Sequence, residues 1–195
     1  MRYRPRGARL KKKNPQETMT SSLGMAAAAL MLAAAATLSP AAAETQEEAV
    51  AYVFLGLAPD AALDRGQTHL DWKSVSSSPA AYQGHGEGGG KKYDVTFTVT
   101  AVGECDYEIK LSGAPDVVRG GEALYARIAL KDIASVVPNA DALHLDIEGT
   151  GYCQTGTLNP NCNVVHKTDL YGAVDAARHA AMVEQIRAGA CLATQ

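Results

Sequence analysis

The sequence predicts an α+β fold: a strongly bent antiparallel sheet or small barrel, with an N-terminal helix and a C-terminal packing helix. Three observations carry this. Between Val95 and Ile147, apolar residues recur at every second position in several short runs, which is the period of half-buried strands. The links between those runs are short, so neighbours pair antiparallel and no βαβ alternation arises. The helical period occurs near the two ends of this region, around Thr45–Leu57 and Asp175–Arg187.

The elements follow in order. Thr45-Gln46-Glu47-Glu48 has the S/T-x-x-E spacing of a capping box. Val50, Val53, Phe54 and Leu57 then mark one face of a short helix, which Gly56 and Pro59 end. A strand is expected from Gln67 to Ser77. The break Ser76-Ser77-Ser78-Pro79 and the tract Gly84–Gly90 read as a flexible hairpin connection. Val95, Phe97, Val99 and Ala101 alternate with threonines in the clearest strand. After a turn at Gly103-Glu104, Tyr107, Ile109 and Leu111 continue on a paired strand, and Leu124, Ala126, Ile128 and Leu130 form the next. Lys131-Asp132-Ile133 is a short connection with Ile133 and Val136 turned inward. Leu143, Leu145 and Ile147 make another strand, and Val164–Leu170 the last. Asp175 caps a helix running to about Arg187 whose inner face is Ala176, Ala180, Val183 and Ile186, with Gly189 as its exit.

Charge divides the chain. Residues 1–43 hold seven basic residues and one acid, whereas residues 44–195 hold 11 basic and 20 acidic residues, so a +6 segment precedes a −9 segment. The apolar run Met25–Leu38 follows the basic stretch and leads into Ser39-Pro40-Ala41-Ala42-Ala43. Basic, apolar and small-residue regions in that order predict a signal peptide over 1–43, cleaved after Ala43, and a single mature domain over 44–195. An uncleaved anchor is disfavoured because the run is shorter than the ~20 residues that span a bilayer, and a transit peptide is the second choice. The expected location is periplasmic or secreted, with no stable membrane anchor after cleavage.

All four cysteines, Cys105, Cys153, Cys162 and Cys191, lie after residue 43. An even number in an exported chain reads as two disulfides. Three connectivities are open. The turn chemistry from Gln154 to Asn161 favours Cys153–Cys162, which leaves Cys105–Cys191; on the chain-entropy model these contribute roughly 2.7 and 4.6 kcal/mol. No cysteine pair has the short spacing of a structural zinc site, and the five histidines form no i, i+4 pair. We expect no metal and no cofactor.

Chemistry-bearing motifs are sparse. The glycine tract fails the phosphate-loop pattern, because Gly90-Lys91 is followed by Lys92 and not by Ser or Thr. No Gly-x-Ser-x-Gly elbow occurs. Ser112, His166 and Asp169 make a catalytic set only on paper, with no spacing to support it. The −9 balance argues against nucleic acid as a partner. Trp72 and Tyr82 either shape a groove beside Gly84–Gly90 or belong to the core, and the core reading is favoured. The candidate binding loop is the one tethered by Cys153 and Cys162, with Thr155, Leu158, Asn159 and Asn161 on it, since recognition often sits on loops held by a rigid scaffold.

The strand Tyr125–Leu130, the connection Lys131–Ile133, the strand around Leu143–Ile147 and the helix Ala176–Arg187 resemble the pleckstrin-homology-like or GRAM-like barrel plan over residues 93–191. That resemblance implies strands closed by a C-terminal helix plugging one end. A lipid-headgroup site of that plan would need a basic loop cluster. Lys91-Lys92 is the best here, so the activity is not carried over. The chain after residue 43 is also similar to exported bacterial proteins, which implies no activity. The functional expectation is a non-enzymatic binding or accessory protein of the cell envelope, recognising a protein or envelope component. The alternative is a small hydrolase with a groove near Trp72 and Gly84–Gly90.

Overall fold

The computed structural model describes residues 44–114, 118, 121–156, 159–189 and 191. The first element is helix α1, Gln46–Leu55. Its capping box is complete: Thr45 Oγ1 accepts from the Glu48 amide, and Glu48 Oε2 accepts from the Thr45 amide at 2.7 Å. Gly56 takes the left-handed conformation that ends it. The helix buries every residue from Ala49 to Leu55, not only the stripe expected from its spacing. The run Ala49-Val50-Ala51-Tyr52-Val53-Phe54-Leu55 is apolar all round, and such a helix is stable only when enclosed.

Among the described residues eleven strands follow, with the 3₁₀ turn Leu130–Asp132 between β6 and β7. They are β1 (Ala62–Arg65), β2 (Thr68–Ser77), β3 (Ala80–Gly88), β4 (Lys91–Ala101), β5 (Asp106–Gly113), β6 (Glu122–Ala129), β7 (Ile133–Pro138), β8 (His144–Gly149), β9 (Tyr152–Gly156), β10 (Asn159–Val164) and β11 (Lys167–Asp169). Helix α2, Ala176–Ala188, closes the order. The sheet order is β1-β2-β3-β4-β5-β6-β9-β10 in an eight-stranded sheet and β11-β8-β7 in a three-stranded one. All the pairings are antiparallel. The α+β expectation holds, in the form of an open sheet with β1 and β10 as its edges.

The inner face of the large sheet carries Leu70, Trp72, Tyr82, Val95, Phe97, Val99, Tyr107, Ile109, Ile128 and Tyr152, all buried. Against it lies α1: Phe54 stacks on Tyr152 with ring centroids 5.6 Å apart. On its other side lies α2. The Tyr171 amide donates to the Leu55 carbonyl at 2.7 Å, and the Asp175 amide donates to the Tyr52 hydroxyl at 3.0 Å. The layers are therefore sheet, α1, α2. Helix α2 turns His179, Val183 and Ile186 inward, whereas Ala176 and Ala180 of the expected face are exposed. A buried histidine takes the place that the apolar pattern alone assigned to alanine.

Other elements also depart from expectation. The tract Gly84–Gly90 is not a flexible connection: Gly84, Gly86 and Gly88 lie within β3, and only Gly89-Gly90 turn. Both turn glycines have positive φ, 56° and 77°, as a two-residue hairpin requires. Residues 133–138 are strand β7, although Ile133 and Val136 do point inward. The barrel plan is not reproduced over residues 93–191. The strands of that region do not close on themselves but continue into β3, β2 and β1, and α1 packs on the inner face of the sheet.

Candidate binding site

The excursion through β7 and β8 returns at Gly149-Thr150-Gly151, where the amides of Thr150 and Gly151 both donate to the Asp132 carbonyl, at 3.0 and 3.2 Å. This delivers β9 alongside β6, with Arg127 opposite Cys153 and Ile128 opposite Tyr152. Because side chains alternate, Tyr107, Ile128 and Tyr152 go to the core, while Glu108, Arg127 and Cys153 share the outer face. Glu108 also lies opposite Arg127, and Arg127 Nε donates to Glu108 Oε1 at 3.1 Å.

Cys153 and Cys162 form one disulfide, with Cα atoms 5.3 Å apart. It pins β9 to the edge strand β10. The second disulfide, Cys105–Cys191, has a Cα separation of 5.1 Å and ties the end of the chain to the start of β5. Cys153 and Cys162 sit on strands β9 and β10, which pair antiparallel, so much of the expected loop is strand. Its Thr155 does not face solvent as a contact residue would: the hydroxyl donates to the Leu124 carbonyl and lies 3.2 Å from the Tyr125 carbonyl. Asn159 pairs with Gly156 in the ladder. Asn161 is exposed, and its carbonyl accepts from Asn163 Nδ2 at 3.4 Å. Leu158 lies outside the described residues.

Beside these strands is a cleft of about 260 Å³, whose lining includes Val102, Asp106, Arg127, Thr150, Gly151 and Cys153. Its cause is local. Ala129 lies beside Asp106 and bonds the Gly151 carbonyl through its amide. Gly151 has no room for a Cβ, which would run into the Ala129 carbonyl. One methyl thus serves two strand positions, and the longer neighbours wall in the space. Val102 is 58% exposed. Asp106 is exposed, and among the described residues its carboxylate has no partner.

On the inner side of the same strands lies a hydroxyl network. Gln154 Nε2 is 3.0 Å from the Tyr125 and Tyr152 hydroxyls and 2.5 Å from Thr168 Oγ1. Tyr125 and Tyr171 share a hydrogen bond of 3.0 Å. Burial pushes the Tyr125 and Tyr152 phenols well above their usual range and raises that of Tyr171, so all three stay neutral and act as hydrogen-bonding groups. Nothing in this network is a nucleophile or an acid–base pair working near neutrality.

The remaining polar clusters join elements. Asp169 lies 3.2 Å from Arg65 Nη1 and 3.4 Å from His144 Nε2, while His144 Nδ1 is 2.6 Å from Asp141. These contacts link the small sheet to β1. The paper set of Ser112, His166 and Asp169 is not assembled: the Ser112 hydroxyl donates to the Thr96 carbonyl, and Asp169 is engaged as above. On the exposed face of β2–β4, His69 bridges Asp64 and Asp71, and His85 meets Asp94. No group of three His, Cys, Asp or Glu side chains among the described residues is placed to hold a metal. Trp72 is 2% exposed and donates through Nε1 to the Tyr171 carbonyl at 2.6 Å, so it is a core residue.

Sequence reasoning missed the cleft residues Val102, Asp106, Arg127 and Thr150. No local pattern marks them, because it is the return of β9 to β6 across a two-strand excursion that brings them together. The two disulfides place the fold in an oxidising, non-cytoplasmic compartment. Among the described residues no helix is long and apolar enough to cross a membrane. Comparison with protein-family models, curated proteins and solved structures gave no match.

Proposed function

We propose that this protein is a non-enzymatic binding module of the cell envelope, exported by removal of residues 1–43 and working as the domain 44–195. Its contact surface is the cleft together with the disulfide-pinned β9–β10 hairpin. The observation that carries this reading is the position of the cleft. It opens on the outer face, next to the Cys153–Cys162 cross-link, between strands that cannot shift without breaking their ladders. A rigid rim with an open concavity suits recognition.

A chain that begins at Glu44 keeps what the fold needs. Glu44 Oε1 pairs with Arg178 at 2.5 Å, and its carbonyl accepts from Gln185 Nε2 at 2.8 Å. Export is tested by fractionating cells that express the full chain and weighing the product, which should begin at Glu44 and carry no free thiol.

Binding is tested by placing a photo-crosslinking amino acid at Val102, Asn161 or Thr98 of the full chain in cells. Adducts with one envelope component from Val102 and Asn161, and none from Thr98 on the same sheet, are expected. No adduct, or equal adducts from all three positions, removes the proposal.

A further inference from the structure

We infer that the cleft receives the cationic side chain, lysine or arginine, of a basic partner protein. This rests on the binding-module reading and names the chemistry of its ligand. Three features point to it.

The first is charge. Glu108 and Arg127 neutralise one another through their 3.1 Å contact, which leaves the Asp106 carboxylate as the uncompensated charge of the cleft. The surrounding domain reinforces the sign, with 20 acidic against 11 basic residues from 44 to 195. A field of that sign draws cations toward a concave site and repels anions.

The second is shape. A volume of about 260 Å³ lies below the roughly 300–1,000 Å³ that holds a drug-sized molecule, and it matches a single long side chain entering from a partner.

The third is the distribution of polarity. Val102 is 58% exposed, and Cys153, one half of the Cys153–Cys162 disulfide, also lines the cleft. Lysine and arginine bury a methylene stem along apolar surface while their heads seek a polar group. Here the stem packs on the apolar lining, Val102 and Cys153, and the head reaches Asp106. Among the described residues the carboxylate meets no cation, so the ligand gains an ion pair without breaking one of these.

The test uses the purified exported protein, isotope-labelled, titrated with N-acetyl-lysine methylamide while backbone amide resonances are followed. Norleucine and glutamate analogues serve as neutral and anionic controls. The lysine analogue should move Val102, Asp106, Thr150 and Gly151 selectively, and added salt should suppress the effect. Asp106→Asn should weaken binding at least tenfold with the rest of the spectrum unchanged. Ala129→Met, which fills the cleft, should abolish it. Asp94→Asn, a carboxylate on a distant part of the sheet, should leave it intact.

Shifts driven by the glutamate analogue would instead make Arg127 an anion site and overturn the assignment, as would lysine shifts spread evenly over the acidic surface or an Asp106→Asn variant that binds as well as the parent. If Val102 cross-links to a partner while the lysine analogue fails, the binding module stands and the cation does not. If the analogue binds and no cross-link forms, the cleft chemistry stands alone.

Discussion

The indole of Trp72 fills the space in which Gly84 would carry a side chain. The two residues are register partners on β2 and β3, and a Cβ on Gly84 would lie 2.6 Å from Trp72 Cζ3. The glycine of β3 is therefore a packing partner, and the ring lies across it to reach Phe97, 5.7 Å away between centroids. Gly84→Ala should destabilise the protein by about 1–3 kcal/mol through overpacking, seen as a lower urea midpoint with unchanged slope. Combining it with Trp72→Phe should cost less than the sum of the two single changes. Strict additivity would mean that the ring and the glycine do not share this space.

Gln154 sends one amide nitrogen toward Tyr125, Tyr152 and Thr168. Gln154→Leu leaves these buried oxygens without that donor and should cost about 1–3 kcal/mol in chemical denaturation. The same burial predicts that Tyr125, Tyr152 and Tyr171 give no phenolate absorbance until the protein unfolds in alkali. Tyr82, whose phenol is pushed up to about 12 chiefly by burial, should behave likewise. Since the neutral phenol is favoured in the fold, stability should fall as pH rises above about 10.

The two disulfides differ in the length of chain they close, 86 residues for Cys105–Cys191 and 9 for Cys153–Cys162. Replacing the first pair by serines should cost about 4–5 kcal/mol and the second about 2–3. Scanning calorimetry should show the larger loss of thermal midpoint for Cys105–Cys191, roughly 10 °C or more. The opposite order would mean that the hairpin staple, not the terminal one, governs stability.

Two histidines pull pH dependence in opposite directions. His179 is buried at 3% exposure between α1 and α2, near the Arg178–Glu44 pair and the Tyr52 ring. Burial lowers its pKa, against a hydrogen bond to the Val53 carbonyl that raises it. The fold prefers neutral His179, so its contribution is complete above about 6.5 and is lost as pH falls below that value. His69 is raised by hydrogen bonds first to Asp64 and then to Asp71. Its contribution is present below about 6.5 and fades as pH rises, and full exposure keeps it small. Urea midpoints from pH 5 to 8 should show a weaker acid loss in His179→Gln, while His69→Gln should lower the midpoints slightly on the acid side and leave those above neutrality unchanged.

Much of the fold can be read along the chain. The Thr45 capping box, the alternation from Val95 to Val99 and the Asp175 cap are local signals, and each stands where its spacing puts it. The glycine-bearing strand β3 was obscured because glycine signals a turn when taken alone; its reason is an indole on the neighbouring strand. The face of α2 was misassigned at His179, since a polar residue enters a core only through a partner such as the Val53 carbonyl, 126 residues away. The hairpin residues Thr155 and Asn161 were visible as a polar, cysteine-bounded stretch. The cleft beside them was not, because it depends on which strand β9 pairs with.

The enclosure of α1 also sets an order of events. Its neighbours on the helical side come from the far end of the sequence: the Glu44 carbonyl meets Gln185, the Val53 carbonyl meets His179, and Tyr52 meets Asp175. Among the described elements, α1 thus comes first in the chain and is covered by the last. Contacts this distant in sequence slow folding, because the intervening chain must close before they form. Until α2 is in place, Ala49–Leu55 therefore stays an apolar stretch uncovered on that side.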